Sequence, residues 1–261
     1  MADNLDLEER AAELRQRGLR VRHTIEFGRP DESIAELAQS TGARLIILAP
    51  HHRSLLEAMR SPSVTARLLG HAATPMLIWP EAAPGKALAA FLNTPSSQVI
   101  VPLDGSPLAE QALPLGVGFA RLFARPLLLV RAVVPQVTAA IWPETYGPEI
   151  RLEAESQQEA EAYLAETCRH LQAGDASLTV RCMVVIGQPD QEIRRCAGSH
   201  DGSLVIMSTH GRSGIQRALL GSVAAQLARD ATVPLLIVPP APQEGTAAHW
   251  ATDVAVPASE R

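Results

Sequence analysis

In the second half of the chain, short apolar runs alternate with amphipathic stretches. Val99-Ile100-Val101-Pro102-Leu103, Leu127 to Val134, Leu178 to Ile186, Ser203 to Met207 and Pro234 to Val238 each read as a strand. Most are apolar throughout rather than alternating, the pattern of strands buried on both faces. Between them the Glu, Ala and Leu content predicts helices over Pro107 to Arg121, Leu152 to Leu171, Pro189 to Ala197 and Ser222 to Asp230. Ser106 is placed to cap the first of these, with Pro107 at its first position and Glu110 near the positive end of its dipole. Pro135 to Pro148 reads as a loop. Five strands alternating with four helices predict an α/β unit whose parallel sheet is covered on both faces.

The same pattern occurs earlier in the chain. Shifting the sequence by 159 residues, without gaps, lays Phe27-Gly28-Arg29-Pro30-Asp31-Glu32-Ser33-Ile34 on Ile186 to Ile193, Leu45 to Ser54 on Leu204 to Ser213, and Pro75 to Ile78 on Pro234 to Ile237. Two related units are therefore expected. In the first, Leu5 to Arg17 matches the helix ending near Leu171, and Leu19 to Phe27, Leu45 to Ala49 and Pro75 to Trp79 match the third, fourth and fifth strands. Counterparts of the first strand, first helix and second strand are missing, so residues 1–80 read as an incomplete copy, either a degenerate remnant or a unit whose start lies upstream. Residues 81–98 read as a linker with a helical turn around Ala87 to Leu92, residues 99–240 as the complete unit, and residues 241–261 as a disordered tail.

The chemistry concentrates where the fourth strand of the complete unit ends. Ser208-Thr209-His210-Gly211 follows that strand, and after nine residues Gly221-Ser222 opens a helix. Glycines and small hydroxyl residues between a buried strand and a helix let backbone N–H groups surround phosphate oxygens. The first copy has His52 in place of Gly211 and Pro62 in place of Gly221. A side chain blocks close backbone approach and proline has no N–H to offer, so only the second copy is expected to keep this chemistry.

Composition narrows the partners. The 261 residues are 46% hydrophobic but only 3% aromatic, with a formal net charge of −5. A core of Leu, Val, Ile and Ala suits helices on a parallel sheet, and with no basic run nucleic acid is not expected as a partner. No apolar stretch approaches the ~18 residues of a membrane span and the amino terminus is not signal-like, which predicts a soluble, cytoplasmic protein without a membrane partner. Cys168, Cys182 and Cys196 form no CxxC pair and are expected as reduced thiols in or near the core.

With Asp104 ending the first strand, the Gly187-Gln188-Pro189 turn and the Ser208 to Ser222 motif in place, residues 98–240 closely resemble the universal stress protein family, and residues 5–80 resemble the later part of a second copy. The resemblance implies a doubly wound five-stranded parallel sheet of strand order 3-2-1-4-5. It also implies ATP binding in members carrying Gly, two residues, Gly, nine residues, Gly and then Ser or Thr. Here Ser208 occupies the first glycine position. By the same resemblance Asp104 with the Pro102-Leu103 backbone meets adenine, Ala132 lines the base pocket, and Met207 and Ser208 border the adenosine. Gly211, Arg212, Gly221, Ser222 and Val223 surround ribose and phosphates, and Mg²⁺ accompanies the nucleotide, held mostly by phosphates and water. The two units are expected to pair through their fifth strands, Met76 to Trp79 against Leu235 to Val238, with homodimerisation also expected.

The motif lacks a Walker lysine and a placed base, so a nucleotide-dependent stress switch is expected, with at most slow hydrolysis. The alternative is a ligand-free oligomerising module of the same fold. An adenylyl-transfer enzyme would need histidines near the first strand, and Pro102 to Leu108 contains none. Plainer readings compete at single residues: Asp104 as a turn cap, His210 as a loop histidine, His51-His52 as surface residues and Glu153, Glu155, Glu159, Glu161 and Glu166 as a solvated helix face.

Overall fold

A computed structural model describes residues 2–49, 63–80, 91–135, 146–199, 202–209, 221–230 and 232–240. In chain order the elements are α1 (Ala2–Gln16), α2 (Pro30–Ser40), β1 (Ile46–Leu48), α3 (Val64–His71), β2 (Met76–Ile78), β3 (Val99–Pro102), α4 (Pro107–Glu110), α5 (Leu113–Leu122), β4 (Leu127–Val133), α6 (Tyr146–Gly174), β5 (Val180–Ile186), α7 (Pro189–Gly198), β6 (Leu204–Ser208), α8 (Ser222–Asp230) and β7 (Leu235–Val238).

The strands form one seven-stranded sheet in the order β1-β2-β7-β6-β3-β4-β5. Neighbours run parallel except β2 and β7: the strands β3 to β7 of the second unit form a parallel sheet, as expected, and the seven-stranded sheet is mixed only where the two units meet. At that junction Met76 faces Ile237, Leu77 faces Leu236 and Ile78 faces Leu235. Leu77 and Leu236 are equivalent under the 159-residue shift, so a local two-fold axis passes between them and each unit offers the other the same edge.

Alternation along the strands splits the core in two. Ile100, Leu128, Val130, Val205, Met207, Leu235 and Ile237 face one side with residues of α2, α3, α7 and α8, while Val99, Val101, Leu127, Leu129, Leu204, Ile206 and Leu236 face the other with α5 and α6. Gly116 brings α5 down onto β3, since a Cβ there would meet Val101 Cγ2 at 2.6 Å.

Three expectations about elements are corrected. The helix predicted over Pro107 to Arg121 is two helices, because Pro114 has no N–H for the Glu110 carbonyl and its ring crowds it. Gln111 and Ala112 instead donate to Leu108 and Ala109 at 3.3 and 3.2 Å, the tighter i→i+3 pattern. Helix α6 begins at Tyr146, inside the stretch read as loop. The strand predicted over Leu19 to Phe27 does not form. Its counterpart β5 forms because β4 lies beside it, whereas among the described residues no strand lies beside 19–27. The consequence is exposure: Leu19 is 54% exposed where its counterpart Leu178 is 7%, and Phe27 is 93% exposed. Ile47 on β1 is likewise 64% exposed where its counterpart Ile206 is fully buried. Residues 91–93 of the expected linker are helical; residues 81–90 and the tail from 241 lie outside the described residues.

Each unit ties its two helices on the shared face by different chemistry at equivalent positions. In the first, the buried Asp31 carboxylate on α2 accepts from Arg67 Nε on α3 at 2.8 Å and from Arg29 at 3.2 Å. In the second, Gln226 stands at the Arg67 position, and Arg194 on α7 donates to its backbone carbonyl at 3.1 Å. Burial acts to raise the Asp31 pKa, but the Arg67 hydrogen bond, the backbone and both arginine charges outweigh it and hold the carboxyl below the usual range.

A carboxyl held low in the folded state contributes stability above its unfolded pKa, about 3.9, and loses it as pH falls through the folded value. Acid-unfolding curves are therefore expected to show Asp31→Asn less stable than the parent at neutral pH, the difference shrinking in acid; a difference that does not change with pH would remove the ion pair as its cause. Amide exchange checks the missing ladder. Residues 180–186 are expected to be protected while 19–27 exchange close to the unstructured rate, and comparable protection in both would mean that 19–27 is paired.

Candidate functional site

A cleft of about 290 Å³ opens at the carboxyl ends of β3 and β6. Connections from these adjacent parallel strands leave to opposite faces of the sheet: β3 leads into α4 and α5, and β6 leads towards α8. The divergence leaves a crevice, the usual ligand position in an open α/β sheet. Its lining includes Pro102, Leu103, Asp104, Ala132, Met207, Ser208, Gly221, Ser222 and Val223. These are nine of the residues singled out in the sequence; the other two, Gly211 and Arg212, lie outside the described residues, as do His51, His52 and His210.

One wall is the start of α8. Ala225 N–H donates to the Gly221 carbonyl at 2.9 Å, which makes Gly221 the residue before the first helical turn. Gly221 N–H donates to the Thr209 carbonyl at 2.8 Å, and Thr209 N–H to the Val238 carbonyl at 3.0 Å, so the start of α8 is tied to the ends of β6 and β7. The first-turn N–H groups of a helix have no intrahelical acceptor. In α8 these belong to Ser222, Val223 and Ala224, and all three residues line the cleft. Backbone donors and the positive end of the dipole thus meet there, favouring an anionic group.

The opposite wall is the turn after β3. Asp104 Oδ1 accepts from the Ser106 backbone N–H at 2.9 Å and the Ser106 hydroxyl at 2.6 Å, while Ser106 Oγ accepts from Ala109 N–H at 3.2 Å. Asp104 therefore does cap the turn, and in doing so orients its carboxyl group at the cleft rim. Val130, Ala132 and Met207 form an apolar floor, and Pro189 and Ile193 from α7 close the side. A flat apolar surface beside one carboxylate, with backbone donors opposite, suits a ligand with an aromatic end and an anionic end.

Beneath the turn lies a support that the sequence reading missed. Arg131 is buried at the end of β4, its guanidinium 5.1 Å from the centroid of the Tyr163 ring. The Tyr163 hydroxyl donates to Glu110 Oε1 at 2.7 Å. Burial, then the Glu110 acceptor, pushes the Tyr163 pKa up, so the phenol stays protonated and the bond persists. Gly105 sits directly over this group with φ +85, and a Cβ there would meet Arg131 Nη1 at 3.1 Å. An arginine within an apolar strand was the available signal, but only the chain path shows that it underlies the Asp104 turn. Ala109, Val130 and Ala224 also line the cleft without having been singled out; Ala and Val carry no chemical signature that separates a lining residue from a core one.

The sequence matches the family model of the universal stress protein family over residues 1–80 and 96–239. The chain belongs to the universal stress protein family. A universal stress protein of Mycobacterium tuberculosis is 27% identical over 223 residues, spanning 85% of this chain and 70% of that protein. One from Bacillus subtilis is 27% identical over 149 residues, which are 54% of this chain but 98% of that protein. The crystal structure of a universal stress protein from Archaeoglobus fulgidus superposes with a TM-score of 0.57 at 17% identity, covering 89% of this chain and 76% of that one. At that identity the likeness concerns the fold.

The glycine at the turn yields a direct test. An alanine at positive φ costs about 1–2 kcal/mol, and the Arg131 guanidinium must also move. Gly105→Ala is therefore expected to lower the unfolding free energy in urea by at least about 1 kcal/mol; an unchanged midpoint and slope would mean that Gly105 is not held at positive φ.

Proposed function

We propose that this universal stress protein binds ATP in the cleft between β3 and β6 and serves as a nucleotide-dependent switch in the cytoplasmic stress response. The observation that carries the reading is the convergence of the α8 first-turn N–H groups, the Asp104 carboxylate and the apolar floor of Val130, Ala132 and Met207 on one crevice. Taken as one doubly wound unit of order 3-2-1-4-5, β3 to β7 have their reversal point at this crevice. In the proposed pose the base lies on the apolar floor by Pro102, Leu103 and Asp104. Met207 and Ser208 border the adenosine, and the phosphates approach Gly221, Ser222 and Val223, with Gly211 and Arg212 completing their enclosure. Mg²⁺ enters with the nucleotide. The ion would be held mostly by the phosphates and water.

The role of this chain's residues is binding and orientation. The apolar floor excludes water from one face of the base, and the helix start compensates phosphate charge. No placed general base adjoins the cleft among the described lining residues other than Asp104, whose Oδ1 is held by Ser106. That same commitment of Asp104 favours a second reading, an interaction module that keeps the fold without a ligand.

Calorimetric titration of ATP with Mg²⁺ into the full chain tests the proposal. One site per chain is expected, lost in Gly221→Trp, whose indole fills the crevice, with the far-ultraviolet circular dichroism unchanged. Absence of heat in the parent chain, with no nucleotide retained through purification, would overturn ATP binding and leave the interaction module.

A further inference from the structure

Two of the three cysteines meet between α6 and β5. On β5, Val180, Cys182 and Val184 share one face of the strand, and Val180 and Val184 belong to the core that α6 covers. On α6, Leu164, Cys168 and Leu171 recur at helical spacing and pack into that same core. Cys168 is buried there, packed in the core with Val180 and Val184, the residues that flank Cys182 on that face of β5, and it interacts electrostatically with Cys182. Cys182 is exposed, correcting the expectation that all three thiols are sheltered, because β5 is the outermost strand of the sheet. An exposed cysteine thus lies beside a buried one, fourteen positions apart in the sequence. Neither residue lines the nucleotide cleft.

We propose that Cys182 and Cys168 are a peroxide-responsive dithiol, with Cys182 the sulfur attacked first and Cys168 the sulfur that resolves it into an intramolecular disulfide. In the first step the Cys182 thiolate attacks one oxygen of hydrogen peroxide. The S–O bond forms as the O–O bond breaks, leaving Cys182 as a sulfenic acid; the departing hydroxide takes up the thiol proton and becomes water. In the second step Cys168 Sγ attacks Cys182 Sγ. The S–S bond forms, the S–O bond breaks, and the sulfenic oxygen leaves with the Cys168 proton as a second water. The dithiol loses two electrons and the peroxide gains them.

The environments assign the order. Peroxide reaches the exposed sulfur, whereas Cys168 is shielded by the α6 core. Burial, then the contact with Cys182, pushes the Cys168 thiol up to about 12, so it is protonated at neutral pH and reacts only with an electrophile placed against it. The product joins the carboxyl-terminal part of α6 to the outer strand and restrains a loop that includes the turn between them, which raises resistance to unfolding. Cys196, buried on α7 with burial raising its pKa, provides an internal reference that stays reduced.

Treatment of the full chain with hydrogen peroxide, alkylation of remaining thiols and peptide mapping reads the outcome directly. Expected is a cross-linked pair of peptides carrying Cys168 and Cys182, lighter by two hydrogens, reversed by dithiothreitol, with Cys196 alkylated. Dimedone added during oxidation is expected to label Cys182, transiently in the parent chain and persistently in Cys168→Ser. Cys182→Ser is expected to leave Cys168 alkylatable after denaturation. Conversion of Cys182 in the parent chain to sulfinic acid without the bridge, or bridges only between chains, would overturn the proposal.

Discussion

The antiparallel ladder between β2 and β7 is the contact on which the arrangement of the whole chain depends. A strand at the end of a sheet presents unpaired N–H and C=O groups, and both units end in such a strand. Because the units are copies, the edge that one exposes is complementary to the edge of the other when turned about a two-fold axis, and Leu77 opposite Leu236 marks that axis. Both edges are satisfied at once. The ladder also supplies the short β1–β2 pair with a sheet to extend, where two three-residue strands alone would be marginal.

The described parts of the first unit lie close to that joint. Helices α2 and α3 pack with α7 and α8 on one face of the common sheet, and Ala38, Leu68, Leu69, Met76 and Ile78 are part of the same core as Ile193, Leu227 and Ile237. What the first unit lacks is legible farther out. Leu19, Ile25 and Phe27 are exposed, and so is Ile47 on β1, whose counterpart Ile206 is covered. The Asp31 ion pair with Arg67 anchors α2 to α3 in place of the Arg194 contact to the Gln226 carbonyl that joins α7 to α8. A buried pair adds less net stability than it would cost to break, since removing either partner leaves a charge stranded.

At the cleft, lining and support come from opposite sides of the sheet. The lining residues Val130 and Ala132 alternate with Arg131, which points away from the crevice and underlies the Gly105 turn. The strand that forms the floor therefore also braces the wall, through a guanidinium held by Tyr163 and, behind it, Glu110. Among the described residues, the other wall offers backbone N–H groups of α8, positioned by the hydrogen bond from Gly221 to Thr209.

The amino-acid sequence by itself determined what depends on local pattern and on repetition. The apolar runs marked β3, β4, β6 and β7, Ser106 and Pro107 marked the start of α4, and the 159-residue repeat identified β2 and β7 as equivalent. The glycine and hydroxyl spacing pointed to Gly221 and Ser222 before their position beside Asp104 was visible. Tertiary structure decided whatever required a partner distant in the chain. The alternation of Leu19 to Phe27 is that of a strand, yet a strand exists only against a neighbour, and among the described residues none lies beside it. Pro114 split a helix whose composition looked continuous, because a missing donor acts on a carbonyl four residues away. Arg131 under the Asp104 turn and Cys168 against Cys182 could not be read from spacing, since each contact is made across layers of the fold where sequence separation carries no information about distance.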